Sequence, residues 1–290
     1  MRRIAAVVTL AVAACAPPPP IPQRTFPTLA YVPPPPPTLP ESGLAALRDV
    51  THAKAISLEV GREDAALLAL HCHDTAAATD RPEALRAQRA CYRCALAMVS
   101  GGPEDPYDSS PFDHALHTIA ETLARYPDSF VTAANLDRLA ICSDLTDDTH
   151  DELQVIAGLA EQHERRMLLR MAPSDFDEVD EVIHHEMFHL FDFGTVTYNP
   201  DPAWEFLNPA GFVYHAHADS DVPGFVDRYA QTDVNEDKAT VFQFLMSGEL
   251  CDRAANDPLI LAKARTIRDR IAGALPAQDA AFFGDRASCL

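Results

Sequence analysis

The stretch Val182-Ile183-His184-His185-Glu186-Met187-Phe188-His189-Leu190-Phe191-Asp192-Phe193 decides how this chain is read. His185 and His189 stand four apart, and residues four apart on an α-helix lie one above the other on the same face. Two imidazoles stacked in this way can share one tetrahedral Zn²⁺ at about 2.0–2.1 Å each. Glu186 follows the first histidine directly. Its carboxylate projects beside the metal, where it can serve as general base toward a metal-activated water. The flanks predict the helix. Pro173 precedes it, and Ser174-Asp175-Phe176-Asp177 reads as a capping box with Ser174 as N-cap. Asp175, Asp177, Glu178, Asp180 and Glu181 suit the positive end of the helix dipole. Gly194 reads as the left-handed residue that ends the helix. Phe176, Val179, Ile183, Met187, Leu190 and Phe191 recur at helical spacing and are expected in the core. Val182, His185, His189 and Asp192 form a second stripe, which places Asp192 to orient an imidazole. The bland alternative is a surface helix that happens to carry histidines; the apolar flanks and the caps at both ends weigh against it.

A catalytic zinc takes three protein ligands and keeps one position open. Glu236 is the best third ligand. It stands near the start of a downstream helix that Asp233 or Asn235 can cap, with Phe242, Leu245 and Met246 as its apolar face. The alternative for Glu236 is a capping carboxylate with no metal.

The chain has 290 residues and a formal net charge of −20, with 47% hydrophobic and 23% charged residues. This is a globular balance that supports a sizeable core, in one large domain or two small ones. The acidic excess supplies no basic footprint, which argues against nucleic acid as a partner.

Arg2-Arg3 followed by the apolar run Ile4 to Ala14 reads as a targeting segment, too short to span a bilayer. Val12-Ala13-Ala14-Cys15 resembles the bacterial lipobox, so residues 1–15 are expected to be a lipoprotein signal peptide with Cys15 lipid-modified; an ordinary secretory signal cleaved near Ala14 is the alternative. Residues 16–42 form a proline-rich tether, with runs at Pro17–Pro20 and Pro33–Pro37 that favour extended polyproline II. These features predict a bacterial cell-envelope protein held at the membrane by its N-terminal lipid, at the outer membrane and facing the periplasm or the surface.

Apart from Cys15, the cysteines are Cys72, Cys91, Cys94, Cys142, Cys251 and Cys289. An even number in an exported chain suggests disulfides, and sequence does not choose among the pairings. Cys91-x-x-Cys94 reads as a redox pair, half a zinc site, or structural cysteines that pair elsewhere, the last being favoured.

Residues 43–130 read as an N-terminal helical region, with helices over Gly43–Gly61, Asp64–His71, Pro82–Val99 and Pro111–Tyr126. His71 and His73, two apart, do not have a helical ligand spacing and read as surface histidines; His114 and His117 have no third ligand nearby and read as a solvated or packed face. Residues 131–290 read as the second domain. It opens with a strand around Arg138–Cys142 and a hairpin, Leu153–Gln162 and Arg165–Met171, turning at His163-Glu164. Arg166–Arg170 is expected to be the edge beside the site, open to strand addition by a peptide. Residues 194–228, carrying Trp204, Tyr214, His215 and His217, read as a long irregular segment forming one wall of the cleft. The tail reads as helices Leu259–Leu275 and Ala277–Phe283, stapled by Cys251 and Cys289.

His185-Glu186-x-x-His189 with a downstream Asn235-Glu236-x-x-Ala239 resembles the gluzincin zinc metallopeptidases. Gly224-Phe225-Val226-x-x-Tyr229-Ala230 before Asn235-Glu236-Asp237-x-Ala239, together with Arg125-Tyr126-Pro127, is similar to the zinc-binding metallopeptidases of bacterial lipoproteins, related to the anthrax lethal factor catalytic domain. The resemblance covers about residues 120–250. It implies an α+β zincin-like metallopeptidase domain, a small mixed sheet leading into the active-site helix. It also implies Zn²⁺ held by His185, His189 and Glu236, Glu186 as base, Tyr229 as electrophilic helper, and a protein or peptide substrate. Thr240 stands where the family's helix carries a second glutamate, so Asp192 or Asp237 is expected to take over that glutamate's hydrogen bond to a ligand. Thr240 also leaves open a catalytically impaired module of the same fold that binds a peptide or partner. The same water attack on other amides leaves open a zinc amidase acting on cell wall.

Overall fold

The computed structural model describes residues 41–60, 68–74, 89–96, 109–147, 154–171, 177–195, 201–215, 221–277 and 282–290. All of them fall in one compact unit, residues 36–290. The signal segment with Cys15, the tether up to residue 40, the capping residue Ser174 and His217 lie outside the described residues.

Strand β4 (Arg138–Asp147) is the spine of a mixed sheet. Its first half pairs in parallel with β1 (Ser57–Glu59) on one side and with β7 (Arg166–Arg170) on the other. Its second half pairs antiparallel with β3 (Arg89–Leu96) and with the short β5 (Gln154–Val155). Beyond β3 lies β2 (Leu68–Asp74), and β7 pairs antiparallel with β6 (Gly158–Glu161), giving the order β2-β3-β4-β7-β6. The two-residue period of β4 and β7 sorts the core. Leu139, Ile141, Met167 and Leu169 join the main cluster under the helices, while Ala140, Cys142 and Leu168 pack with Cys94 and Leu145 on the other face.

Three expectations are corrected here. Leu68–Asp74 and Arg89–Leu96 are strands, although Asp64–His71 and Pro82–Val99 read as helices, so the N-terminal helical region partly builds the sheet. Their Ala and Leu content favours helix by only tenths of a kcal/mol per residue. Pairing of β3 with β4 and the Cys94–Cys142 disulfide fix the extended form instead. The helix begun at Gly43 ends at Ala53, as α1 (Glu41–Ala53), and Ala55 takes φ 57° to turn the chain into β1. The hairpin around His163-Glu164 forms, but the strand read over Leu153–Gln162 is split into β5, paired with β4, and β6, and the second strand is internal. β7 has β4 at its side, so β6 is the edge. Arg166 and Glu161 close this hairpin as register partners, with a buried ion pair at 2.5 Å.

Helices α2 (Ser109–Ala124), α3 (Asp128–Ala133), α4 (Val179–Thr195) and α6 (Val234–Ser247) cover the main face. Val179, Ile183, Met187, Leu190 and Phe191 of α4 are buried as the periodicity requires. Phe130 stacks on Phe191 at 4.6 Å and on Phe242 of α6 at 5.8 Å. Gly194 is not a left-handed terminator: α4 runs through it to Thr195. A Cβ there would lie 2.5 Å from the Ala133 carbonyl oxygen, so glycine lets the end of α3 approach α4. Short helices α5 (Pro202–Glu205) and α7 (Leu250–Ala254) and the long α8 (Pro258–Ala274) complete the described helices. The Cys251–Cys289 disulfide ties α7 to the C-terminal segment, as read. Ala277–Phe283, read as a helix, lies partly outside the described residues, and Phe282-Phe283 form a turn. No helix among the described residues is long and apolar enough to cross a membrane.

Candidate metal centre

Helix α4 presents His185 and His189 on one stripe, and α6 packs against it. Asp233 caps α6 by accepting the Asn235 N–H at 2.8 Å, which starts the helix so that Glu236 lies in its first turn. The result is a tight triangle. Nε2 of His185 lies 3.0 Å from Nε2 of His189, and Glu236 Oε2 lies 2.9 and 3.3 Å from the two nitrogens. His185, His189 and Glu236 form the group among the described residues that could hold a metal ion. Burial alone would raise the Glu236 pKa; the hydrogen bonds and charges of the two imidazoles outweigh it and hold the carboxyl well below the usual range.

The donor set fits zinc. A tetrahedron whose centre lies about 2.0–2.1 Å from each vertex has edges of about 3.3 Å, and the observed edges are 2.9–3.3 Å. Two imidazoles and one carboxylate are also a ligand set seen in catalytic zinc sites.

Glu186 lies beside this triangle and is buried. Burial chiefly, and then the Glu236 charge, push its pKa up to about 7, against the lowering influence of His185 and the Ala160 backbone N–H. Edge strand β6 passes directly over it. A Cβ on Gly158 would lie 2.6 Å from Val182 Cγ1 and 2.8 Å from Glu186 Cγ, so only glycine permits this approach. Inside the strand read over Leu153–Gln162, a lone glycine carries no signal of what crosses it.

Tyr229 comes from the other wall, on a 3₁₀ turn (Tyr229–Gln231). Asp227 Oδ1 accepts the Ala230 N–H at 2.8 Å and holds that turn. Further back, Gly224 donates its N–H to Asp257 and accepts from Lys263 Nζ at 2.7 Å. The Tyr229 ring lies 5.7 Å from that of His185, and the residue is 55% exposed. Desolvation of its hydroxyl end, then the Glu236 and Glu186 carboxylates, raise its pKa well above 10, so the phenol stays protonated.

Two clefts flank Glu186. One, of about 490 Å³, runs along Val155 to Gly158, Glu178 just before α4 and Glu181 on it; the other, of about 380 Å³, runs along Leu159, Ala160 and Asn235. Of the irregular segment 194–228, only Asp227 lines these clefts among the described residues. From that segment Trp204 and Tyr214 reach behind α6, where Asp237 accepts from Trp204 Nε1, Tyr214 Oη and Lys263 Nζ at 2.7–2.8 Å.

The expected supporting residues are placed differently from their reading. Asp192 turns to Lys238 and Arg270, because a fully buried ammonium requires a counter-charge. Asp237 serves Lys263, and Thr240 Oγ1 donates to the Glu236 carbonyl of its own helix at 2.7 Å. None of them bonds an imidazole in these contacts. The residue that does is Gln243, whose Oε1 lies 3.2 Å from His185 Nδ1. Of Arg125-Tyr126-Pro127, Tyr126 belongs to the core, while Arg125 is exposed. The Tyr126 hydroxyl lies 2.6 Å from Nδ1 of His184, whose pKa falls to about 3 through burial and then the Arg125 and Arg286 charges.

No family model matches the chain, and no curated protein does. A solved structure from Bacteroides caccae, described as a "putative zinc-binding metallo-peptidase", is similar over 86% of this chain and 95% of that one, at 13% identity and a TM-score of 0.42.

Proposed function

We propose that this chain is a zinc-dependent metallopeptidase, a hydrolase of zincin-like fold that cleaves peptide bonds. The observation that carries the reading is the convergence of His185, His189 and Glu236 within 3.3 Å beside the buried carboxyl of Glu186. Zinc at this centre would supply Lewis acidity, polarising a carbonyl and bringing the pKa of a water toward about 7. The chain's own residues do the rest. Glu186 takes a proton at its carboxylate from the attacking water and returns it to the leaving amine, acting first as base and then as acid. Tyr229 donates its hydroxyl to the oxygen that gains charge as the carbonyl is attacked. Strand β6, the edge among the described strands, offers its outer side to an extended peptide, which would run through the two clefts across Glu186.

The two disulfides among the described residues point to an oxidising compartment rather than a reducing cytosol. The lipid on Cys15 and attachment to the cell envelope rest on the lipobox and the proline tether alone; a Cys15→Ala variant should leave the membrane fraction, and retention there would contradict the anchor. The catalytic reading is tested by digesting a peptide library with the zinc-loaded chain, with and without a chelator. Cleavage that the chelator abolishes and zinc restores is expected. An intact library, or cleavage indifferent to the chelator, overturns it.

A further inference from the structure

The contact between α4 and α6 carries two bridges. On α4, Glu181, His185 and His189 follow one another at intervals of four and share a stripe. From α6, Glu236 bridges His189 and His185, and Gln243, further along the helix, bridges His185 and Glu181. Gln243 Nε2 donates to Glu181 Oε2 at 2.8 Å, and Gln243 Oε1 lies 3.2 Å from His185 Nδ1.

This order of atoms leaves little freedom. A carboxylate only accepts, so the Gln243 amide must turn its NH₂ to Glu181. Its carbonyl then faces His185, and a carbonyl also only accepts, so the proton must be on Nδ1. A neutral imidazole protonated on Nδ1 has its lone pair on Nε2. That nitrogen is the one in the triangle with His189 and Glu236.

We propose that Gln243, oriented by Glu181, is the positioning residue that fixes the ring and tautomer of His185 for metal binding. This inference rests on the zinc reading of the centre. It also accounts for Thr240: the hydrogen bond that a glutamate there would supply is made from the same helix, one turn further on. Residues in this role bond the outer nitrogen of a ligand histidine, hold the ring and raise its basicity, and losing one typically weakens metal binding about 10–100-fold.

The test uses full-length chain variants and two readouts. Gln243→Met keeps the length and apolar bulk of the side chain and removes both hydrogen-bonding groups. Zinc affinity, read by competition with a chelator, should fall about 10–100-fold while the metal-free unfolding temperature changes little. Gln243→Glu alone sets a second carboxylate against Glu181 and should also lose affinity. Combining it with Glu181→Gln rebuilds the relay with the donor on the other side, and affinity should return toward the wild-type value. The second readout is NMR of the zinc-loaded chain, where the His185 Nδ1 proton, held by the Gln243 carbonyl, should exchange slowly with water in the wild type and quickly in Gln243→Met. A wild-type Nδ1 proton that exchanges as fast as in Gln243→Met, unchanged affinity in Gln243→Met, or no recovery in a folded double variant overturns the proposal. A wild type that takes up no zinc instead overturns the metallopeptidase reading itself, and this proposal with it.

Discussion

Gly158 and Glu186 touch: a Cβ built on the glycine would stand 2.8 Å from Glu186 Cγ and 3.0 Å from its Oε1. The edge strand and the carboxylate proposed as base are therefore held at a distance only the smallest residue allows. Gly158→Ala should push Glu186 or β6 aside. Misplacement of a reacting group by about 1 Å can cost about 10²-fold in rate, so kcat should fall by about that factor while zinc content stays at the wild-type level. Steady-state kinetics with elemental analysis checks this; wild-type kcat in the variant would show that the contact is unimportant to turnover.

Glu186→Gln keeps the shape of the side chain and removes the base, so turnover should drop by about 10²–10⁴-fold with zinc retained. Tyr229→Phe removes one donor to the developing oxyanion, worth on the order of 2.7–4 kcal/mol in the transition state. Its effect should appear in kcat, with KM and zinc content little changed. Loss of zinc from the Tyr229→Phe variant would instead make Tyr229 part of the metal-holding structure.

Asp237 is fully buried and is the counter-charge of Lys263, itself fully buried. It also gathers Trp204 and Tyr214 behind the helix that carries Glu236. Asp237→Ala leaves the ammonium uncompensated and should destabilise the fold by about 3–5 kcal/mol. Replacing both partners, Asp237→Leu with Lys263→Met, removes the stranded charge and should recover part of that loss. Chemical denaturation of the variants measures both effects, and a double variant no more stable than Asp237→Ala would contradict the pairing argument.

His184 sets an acid limit on stability. Its folded pKa, lowered to about 3 by burial and then by Arg125 and Arg286, lies below the ordinary 6.5 of an exposed histidine. Between these values the unfolded chain binds a proton that the folded chain refuses. Stability is therefore lost as pH falls from about 6.5 toward about 3, at up to about 1.4 kcal/mol per pH unit. Thermal unfolding measured across that range should show the slope, and His184→Leu should flatten it. An unchanged slope would assign the acid lability to other groups.

The helix around His185 was legible because its signals are local: ligand spacing, apolar stripe and acidic first turn all lie within a short run of sequence. Asp233 and Glu236 were legible for the same reason. The strands at Leu68–Asp74 and Arg89–Leu96 were not, since their Ala and Leu content favours helix and only β4 and Cys142 reveal their extended form. The edge position of β6 depends on β7 pairing with β4, a partner distant in sequence. Gln243 was hidden differently. It stands on the predicted helix, but its use is set by Glu181 and His185 across the α4–α6 contact, whereas Asp192 and Asp237 were drawn away by buried lysines.

The central claim is that His185, His189 and Glu236 together hold the metal on which hydrolysis depends. Elemental analysis of the purified chain after zinc reconstitution and removal of excess metal tests it most directly. About one zinc per wild-type chain is expected, with none retained by a folded variant carrying His185→Ala and His189→Ala. A wild-type chain without metal, or a double variant that keeps its zinc, would contradict the account.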